Sequence, residues 1–391
     1  MRGRDPAEPH RSTTPLELLF DLTFVVAVAR AAAELRAALG QGQTGHALAG
    51  YALIFYALWW AWVNSTWFAS AYDTDDVPYR LLTLLQMAGA LIFSAGVPAA
   101  FGHSDYVTVV AGYVVMRMAL VTQTLRAAHD HPAGRALTVR YAALISVVQL
   151  AWIGWLTLTG PMQMAGFAVL ALAELVIPSR DQRPDSGTPW HPGHIAERYG
   201  QFTIIVLGEV ISAIAATFGD AVTDKSASPD LITIAVAGLL LVFAMWWSYF
   251  RHDSLRDIRR EIGESVLRTF LRSLGHYLIF ASVAAVGAGL QVETQSLTHG
   301  AHVTPRFAAY SVAIPVAVYI VALAFLSRDQ APRATAPGIG VLTAVLVVAA
   351  AAATPLVTLP AVAVIIVVLV TFLLIYYLAR DRTPLRQPPP T

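Results

Sequence analysis

Two apolar segments of this chain begin with groups that can hold ions or protons. Glu17 and Asp21, within Pro15-Leu16-Glu17-Leu18-Leu19-Phe20-Asp21-Leu22-Thr23-Phe24, are four residues apart and share one helix face within a turn. Two carboxylates so placed can collect a cation or share a proton, because like charges in a desolvated site disfavour full ionisation. The competing role is local: a carboxylate in the first turn also satisfies free helix N–H groups and the helix dipole. A second set follows in His194-Ile195-Ala196-Glu197-Arg198-Tyr199-Gly200-Gln201-Phe202-Thr203-Ile204. His194, Arg198 and Gln201 keep the spacing of one face. Glu209, eleven residues beyond Arg198, returns to within about 20° of it and roughly 16 Å along the axis. A polar face of about three turns is expected there. Glu197 beside Arg198 can form a snorkelling pair, whereas Glu209 is too deep to snorkel. His191, His194 and Glu197 lack a third strong ligand nearby, so no metal is expected.

Arg117 is the other outlying charge. It falls midway along its apolar segment, and an arginine at that depth costs at least about 2.5–3.5 kcal/mol on insertion scales, so a carboxylate partner is expected. Depth makes Glu209 or Asp21 the candidates. Arg30 and Glu34, four apart, read as a local ion pair, Glu174 and Arg272 as groups reaching lipid headgroups, and His276 as an interior histidine. There are no cysteines, which excludes disulfides, thiolate metal sites and a cysteine nucleophile. No phosphate-binding loop, serine elbow or His-Glu-x-x-His motif occurs, so no catalytic residue and no cofactor is expected. A net charge of +1 supplies no basic field for nucleic acid.

The elements that must carry these groups are membrane helices. Of 391 residues 56% are hydrophobic and 13% charged, against about 25% charged in soluble domains. Apolar runs long enough for a hydrocarbon core of about 30 Å occupy Glu17–Leu39, Ala47–Ala69, Tyr79–Ala99, Tyr106–Arg126, Thr138–Thr159 and Pro161–Pro178. A second series occupies His194–Phe218, Asp230–Arg251, Ser265–Gly289, Pro305–Ser327, Pro337–Thr354 and Val357–Leu378. The fold class expected is therefore an all-α polytopic membrane protein of about twelve transmembrane helices. Pro161–Pro178 and Pro337–Thr354 are the shortest runs.

Of the 26 Lys and Arg residues, Arg30, Arg117, Arg198 and Arg272 fall inside spans, Arg36, Lys225 and Arg306 lie towards one side, and the other 19 towards the opposite side. Cationic residues are retained in the cytoplasm, which puts both termini there and favours an even number of spans. Internal matches order the chain into halves. Glu17 aligns with Glu197 and Thr23 with Thr203 at an offset of 180; Trp59-Trp60 answers Trp246-Trp247, and Leu91-Ile92-Phe93 answers Leu278-Ile279-Phe280, at an offset of 187. Two six-helix units that both start inside are parallel repeats about an axis along the membrane normal. The expected divisions are a disordered tail at 1–14 with no cleaved signal peptide, a repeat at 15–178, a Pro-, Asp- and Ser-rich linker at 179–193, a repeat at 194–380 and a tail at 381–391. Arg251–Glu264 reads as a charged, solvated cytoplasmic helix.

The run Thr14-Pro15-Leu16-Glu17-Leu18-Leu19-Phe20-Asp21-Leu22-Thr23-Phe24-Val25, with His194-x-x-Glu197-Arg198-x-Gly200-x-Phe202 and Leu207-Gly208-Glu209, resembles the bacterial low-temperature-requirement A family across the whole chain between its tails. The resemblance implies a multi-pass protein of the bacterial inner membrane, tied to growth in the cold and without an assigned reaction. The surroundings of Asp21 are also similar, over a short stretch, to twin six-helix potassium channels. Two classes of function stay open. One is a secondary transporter or channel for a small ion or solute; the other is a lipid-modifying enzyme or scaffold supporting growth in the cold. Membrane lipids are the expected partners in either case.

Overall fold

The computed structural model describes residues 8, 11–179, 190–223, 229–251, 266–297, 303–326, 336–353, 360 and 362–369. The charged stretch 252–264, the C-terminal tail and most of the expected linker and twelfth span lie outside the described residues.

Among the described residues all regular structure is helical. The helices are α1 (Pro15–Gly40), α2 (Thr44–Tyr72), α3 (Val77–His103), α4 (Val107–Asp130), a short 3-10 turn (Pro132–Gly134), α5 (Arg135–Trp155) and α6 (Gly160–Ser179). They continue as α7 (Pro192–Thr223), α8 (Pro229–Arg251), α9 (Val266–Ser296), α10 (Pro305–Leu326) and α11 (Ala336–Ala353), and residues 362–369 are also helical. Nine described helices are long and apolar enough to cross a membrane, so the chain is a multi-pass helical protein. Helix α1, with 26 residues and a length of about 39 Å, stands outside the nine because it carries Glu17, Asp21, Arg30, Glu34 and Arg36. The apolar part of α11, Gly338–Ala353, is shorter than a full crossing.

The chain divides into two compact units. The first comprises Met1–Glu209 and Asp253–Ala284, the second Val210–His252 and Ala285–Thr391.

In the first unit, α1 starts where the sequence offers a complete cap. Thr14 Oγ1 accepts from Glu17 N at 3.3 Å and Glu17 Oε2 accepts from Thr14 N at 2.8 Å, a reciprocal box that occupies two of the free N–H groups at a helix start. Pro15 fits the first turn because it has no N–H to leave unpaired. The residues just before it are in place too. Arg11, expected in a disordered tail, is buried and donates to Ala69 O at 2.7 Å and to Ser70 O. Helix α1 turns Phe20, Asp21 and Phe24 inward and leaves Leu19, Leu22 and Val26 about half exposed, as lipid-facing residues would be.

Helix α1 packs on α2 and α3, α3 on α4, α4 on α5, and α5 on α6. The α3–α4 crossing needs glycine: a β-carbon on Gly89 would lie 2.8 Å from Met116 N and 2.9 Å from Gly112 O. Small residues at such crossings let helix backbones approach closely where no hydrophobic force drives association. Amides span the interior around it: Gln86 Nε2 donates to Gln123 Oε1 at 2.9 Å, and Ser65 Oγ donates to Gln86 Oε1 at 2.5 Å. The expected Arg30–Glu34 pair forms at 3.5 Å. At the start of α3, Asp76 caps Tyr79 N at 3.0 Å and accepts from Arg126 Nη1 at 2.7 Å.

In the second unit, α10 packs on α11. Tyr319 on α10 donates its hydroxyl to Met245 O on α8 at 2.6 Å, and Ser311 Oγ donates to Gly289 O at 3.2 Å. Trp246 and Trp247 are about 40% exposed here, whereas their expected counterparts Trp59 and Trp60 are buried in the first unit.

Candidate functional site

Helix α1 brings two carboxylates, and the N-terminal part of α7 a histidine and an arginine, into one buried network of the first unit. Asp21 lies six residues past Pro15, hence about 9 Å into the helix. Its Oδ2 accepts from Arg198 Nε at 3.2 Å, and its Oδ1 from Arg198 Nη2 at 2.5 Å and from Trp62 Nε1 at 2.7 Å. Glu17 stands one turn earlier on the same face. Its Oε1 is 2.9 Å from Arg198 Nη1, a contact of charges rather than an aligned hydrogen bond. His194 Nε2 straddles both Glu17 oxygens, at 3.1 Å from Oε1 and 3.2 Å from Oε2. Glu17, Asp21, His194 and Arg198 are all at most 3% exposed.

The packing that holds these groups follows from local sequence. Trp62 is wedged against Phe202 at 4.3 Å and Tyr199 at 5.0 Å between ring centroids, with Phe280 at 5.9 Å edge-on, so its indole N–H has one direction to point. His194 N donates to His191 Nδ1 at 2.9 Å, which fixes the proton of His191 on Nε2, and that atom donates to Glu8 O at 2.8 Å. His194 Nδ1 has no hydrogen-bond partner among the described residues. The charge sum is informative. Two carboxylates and one guanidinium leave one negative charge, which a protonated His194 cancels and a neutral one does not. One added proton would therefore leave the four side chains neutral.

Other expected site residues separate from this cluster. Glu197 does not form a snorkelling pair with Arg198: it accepts from Thr13 N at 3.2 Å and from Gln201 Nε2 at 3.1 Å. The side chains of adjacent residues diverge by about 100° around a helix, which sends Arg198 inward and Glu197 to the helix shoulder. The expected three-turn polar face is accordingly broken. His194 and Arg198 meet α1, Gln201 turns back to Glu197, and Glu209 is partly exposed.

Arg117 is likewise not paired with Glu209 or Asp21. Asp21 is already occupied by Arg198, and the leading attractive charge on Arg117 is Glu174. Equal depth did not reveal which helix is adjacent. Glu174 is buried rather than reaching headgroups, since α6 turns it towards α4 and α5. His276 is interior as expected, with its ring 4.7 Å from that of Tyr199. Sequence reading missed Trp62, Gln149 and Trp152 as partners of carboxylates, because an aromatic or amide in an apolar helix carries no signal of what it faces. The Thr14-x-x-Glu17 capping signature was present and could have been read. No cluster of three or more metal-binding side chains occurs among the described residues.

Comparison with known proteins bears on this geometry. A family model described as bacterial low temperature requirement A protein (LtrA) matches residues 12–376. A curated relative, uncharacterized protein RA0937 of Rhizobium meliloti (strain 1021), is 26% identical over 344 residues, which cover 84% of this chain and 81% of the relative.

Proposed function

We propose transport as the function of this protein, from the premise that the chain belongs to the bacterial low temperature requirement A family. The observation that carries the reading is the network of Glu17, Asp21, His194 and Arg198, four ionisable side chains closed on one another inside apolar helices. Burying such groups for stability alone is poorly rewarded, because well-packed apolar replacements are often neutral or stabilising. Ionisable groups retained at membrane depth instead mark ion and proton pathways. The activity is that of a secondary transporter or channel for a small ion or solute. A proton or cation arriving at Glu17 or Asp21 competes with Arg198 for the same oxygens. Release of Arg198 then changes the contact between α1 and α7 and biases the helices towards a second arrangement.

The architecture we assign to this activity is two parallel repeats of six spans, at 15–178 and 194–380, in the bacterial inner membrane with both termini cytoplasmic. The offset of Glu17 and Glu197 and the arginine asymmetry support it. A cysteine introduced at Ser104 is expected to label from the periplasmic side and one at Ser179 to stay protected. Labelling of Ser179 from outside overturns this orientation.

The activity is tested by flux in liposomes, screening protons, alkali cations and small anions. Wild-type protein is expected to carry one of these, and Asp21→Asn and Glu17→Gln to abolish it while thermal unfolding stays within a few degrees of wild type. Unchanged flux in both variants assigns the network to scaffolding. A wild type that moves none of the three classes overturns transport.

A further inference from the structure

A second charged cluster lies between α4, α5 and α6, and its hydrogen bonding is incomplete in two complementary places. Arg117 and Glu174 are both 2% exposed. Glu174 has three donors: the Tyr113 hydroxyl gives to Oε2, and Gln149 Nε2 and Trp152 Nε1 both give to Oε1 at 3.1 Å. None comes from Arg117. The Arg117 guanidinium instead lies 5.8 Å from the Tyr113 ring centroid, and its Nε and Nη1 have no hydrogen-bond partner among the described residues. The second gap is an acceptor: Gln149 Oε1, on an amide whose nitrogen already holds Glu174, is buried and has no partner among the described residues.

Buried polar groups are nearly always satisfied, so each orphan states what is missing. Bare N–H groups on a permanent cation call for an acceptor, best a negative one. A bare amide oxygen beside a carboxylate calls for a donor, and a protonated Glu174 would supply it by closing an acid–amide ring with Gln149. These two needs also balance in charge. An anion added alone would leave the cluster at −1, whereas an anion with one proton leaves it neutral. We propose that Arg117 binds a small monovalent anion of the chloride, nitrate or short-carboxylate class, taken up together with one proton held on Glu174. No covalent step is involved: one proton and one anion enter, and both leave unchanged.

The charged and titratable groups facing Glu174 are Arg117 and Tyr113 from α4 and Tyr56 from α2; from α5, Tyr141 faces Arg117. This site stands apart from the α1–α7 network, and its binding test does not depend on flux. Purified full-length protein in nanodiscs is titrated with chloride, nitrate and acetate against gluconate at constant ionic strength, followed by thermal unfolding and tryptophan fluorescence. Saturable binding is expected in the wild type, with affinity rising by up to about tenfold per pH unit lowered, as uptake of one proton with the anion requires. Glu174→Gln, which keeps the shape of the protonated acid, is expected to bind with an affinity independent of pH. Arg117→Met is expected not to bind, and Trp152→Phe to bind with most of the fluorescence change lost. The proposal is overturned by absence of saturable binding in the wild type between pH 5 and 8. It is equally overturned by a pH-independent wild-type affinity or by undiminished binding in Arg117→Met. Should Arg117→Met fail to fold, the contrast in pH dependence between wild type and Glu174→Gln decides the matter alone.

Discussion

Arg198 and Arg117 are both buried in apolar helices of the first unit, at 1% and 2% exposure, yet Arg198 touches two carboxylates and Arg117 forms no ion pair among the described residues. In the α1–α7 network the charges close on one another, and Trp62 occupies a further lone pair of Asp21. In the α4–α6 cluster the carboxylate is satisfied by neutral donors and the guanidinium is left open. Equal burial therefore conceals opposite states: the first site is filled by its own protein, the second is complete only with something added.

That contrast breaks most sharply under arginine removal. Arg198→Met strands two buried carboxylates and is expected to cost about 3–5 kcal/mol in reversible unfolding. Arg117→Met also discards two unsatisfied donors, so its cost is expected to stay below about 2 kcal/mol. Equal losses in denaturant titrations of the two variants would erase the distinction. Trp62→Phe keeps the aromatic packing but removes the N–H bond to a charged acceptor, with an expected loss of about 1.5–3 kcal/mol in the same titrations. Thr14→Ala removes half of the capping box that holds Glu17 in place and is expected to cost about 1 kcal/mol, measurable as a lower unfolding temperature.

The smallest effect concerns an ion pair at the water interface. The Arg126 guanidinium beside Asp76 holds that carboxyl well below the ordinary aspartate range. A carboxyl depressed in the folded state contributes stability that is complete above its unfolded value of about 3.9 and is lost as pH falls further. The pair is partly exposed and screened, so the contribution is below about 1 kcal/mol. Wild type is expected to lose stability relative to Asp76→Asn between pH 4 and pH 2, with no change in the difference between them from pH 5 to 8.

Membership of the membrane class, the starts of α1 and α7, and the charged positions Glu17, Asp21, Arg117, His194 and Arg198 were all legible in the sequence. Composition and run length decide solvent, and a charge inside an apolar run is conspicuous wherever it falls. Tertiary structure decided the partners. Spacing along one helix restricts which residues share a face, but it holds no information on which other helix that face meets. Depth made Arg117 a match for Glu209, while packing set it near Glu174, a residue the sequence had assigned to the headgroups. The i, i+4 relation of Glu17 to Asp21 was fixed by the backbone. Their shared hold on Arg198, 177 residues beyond Asp21, exists only because α1 and α7 come together.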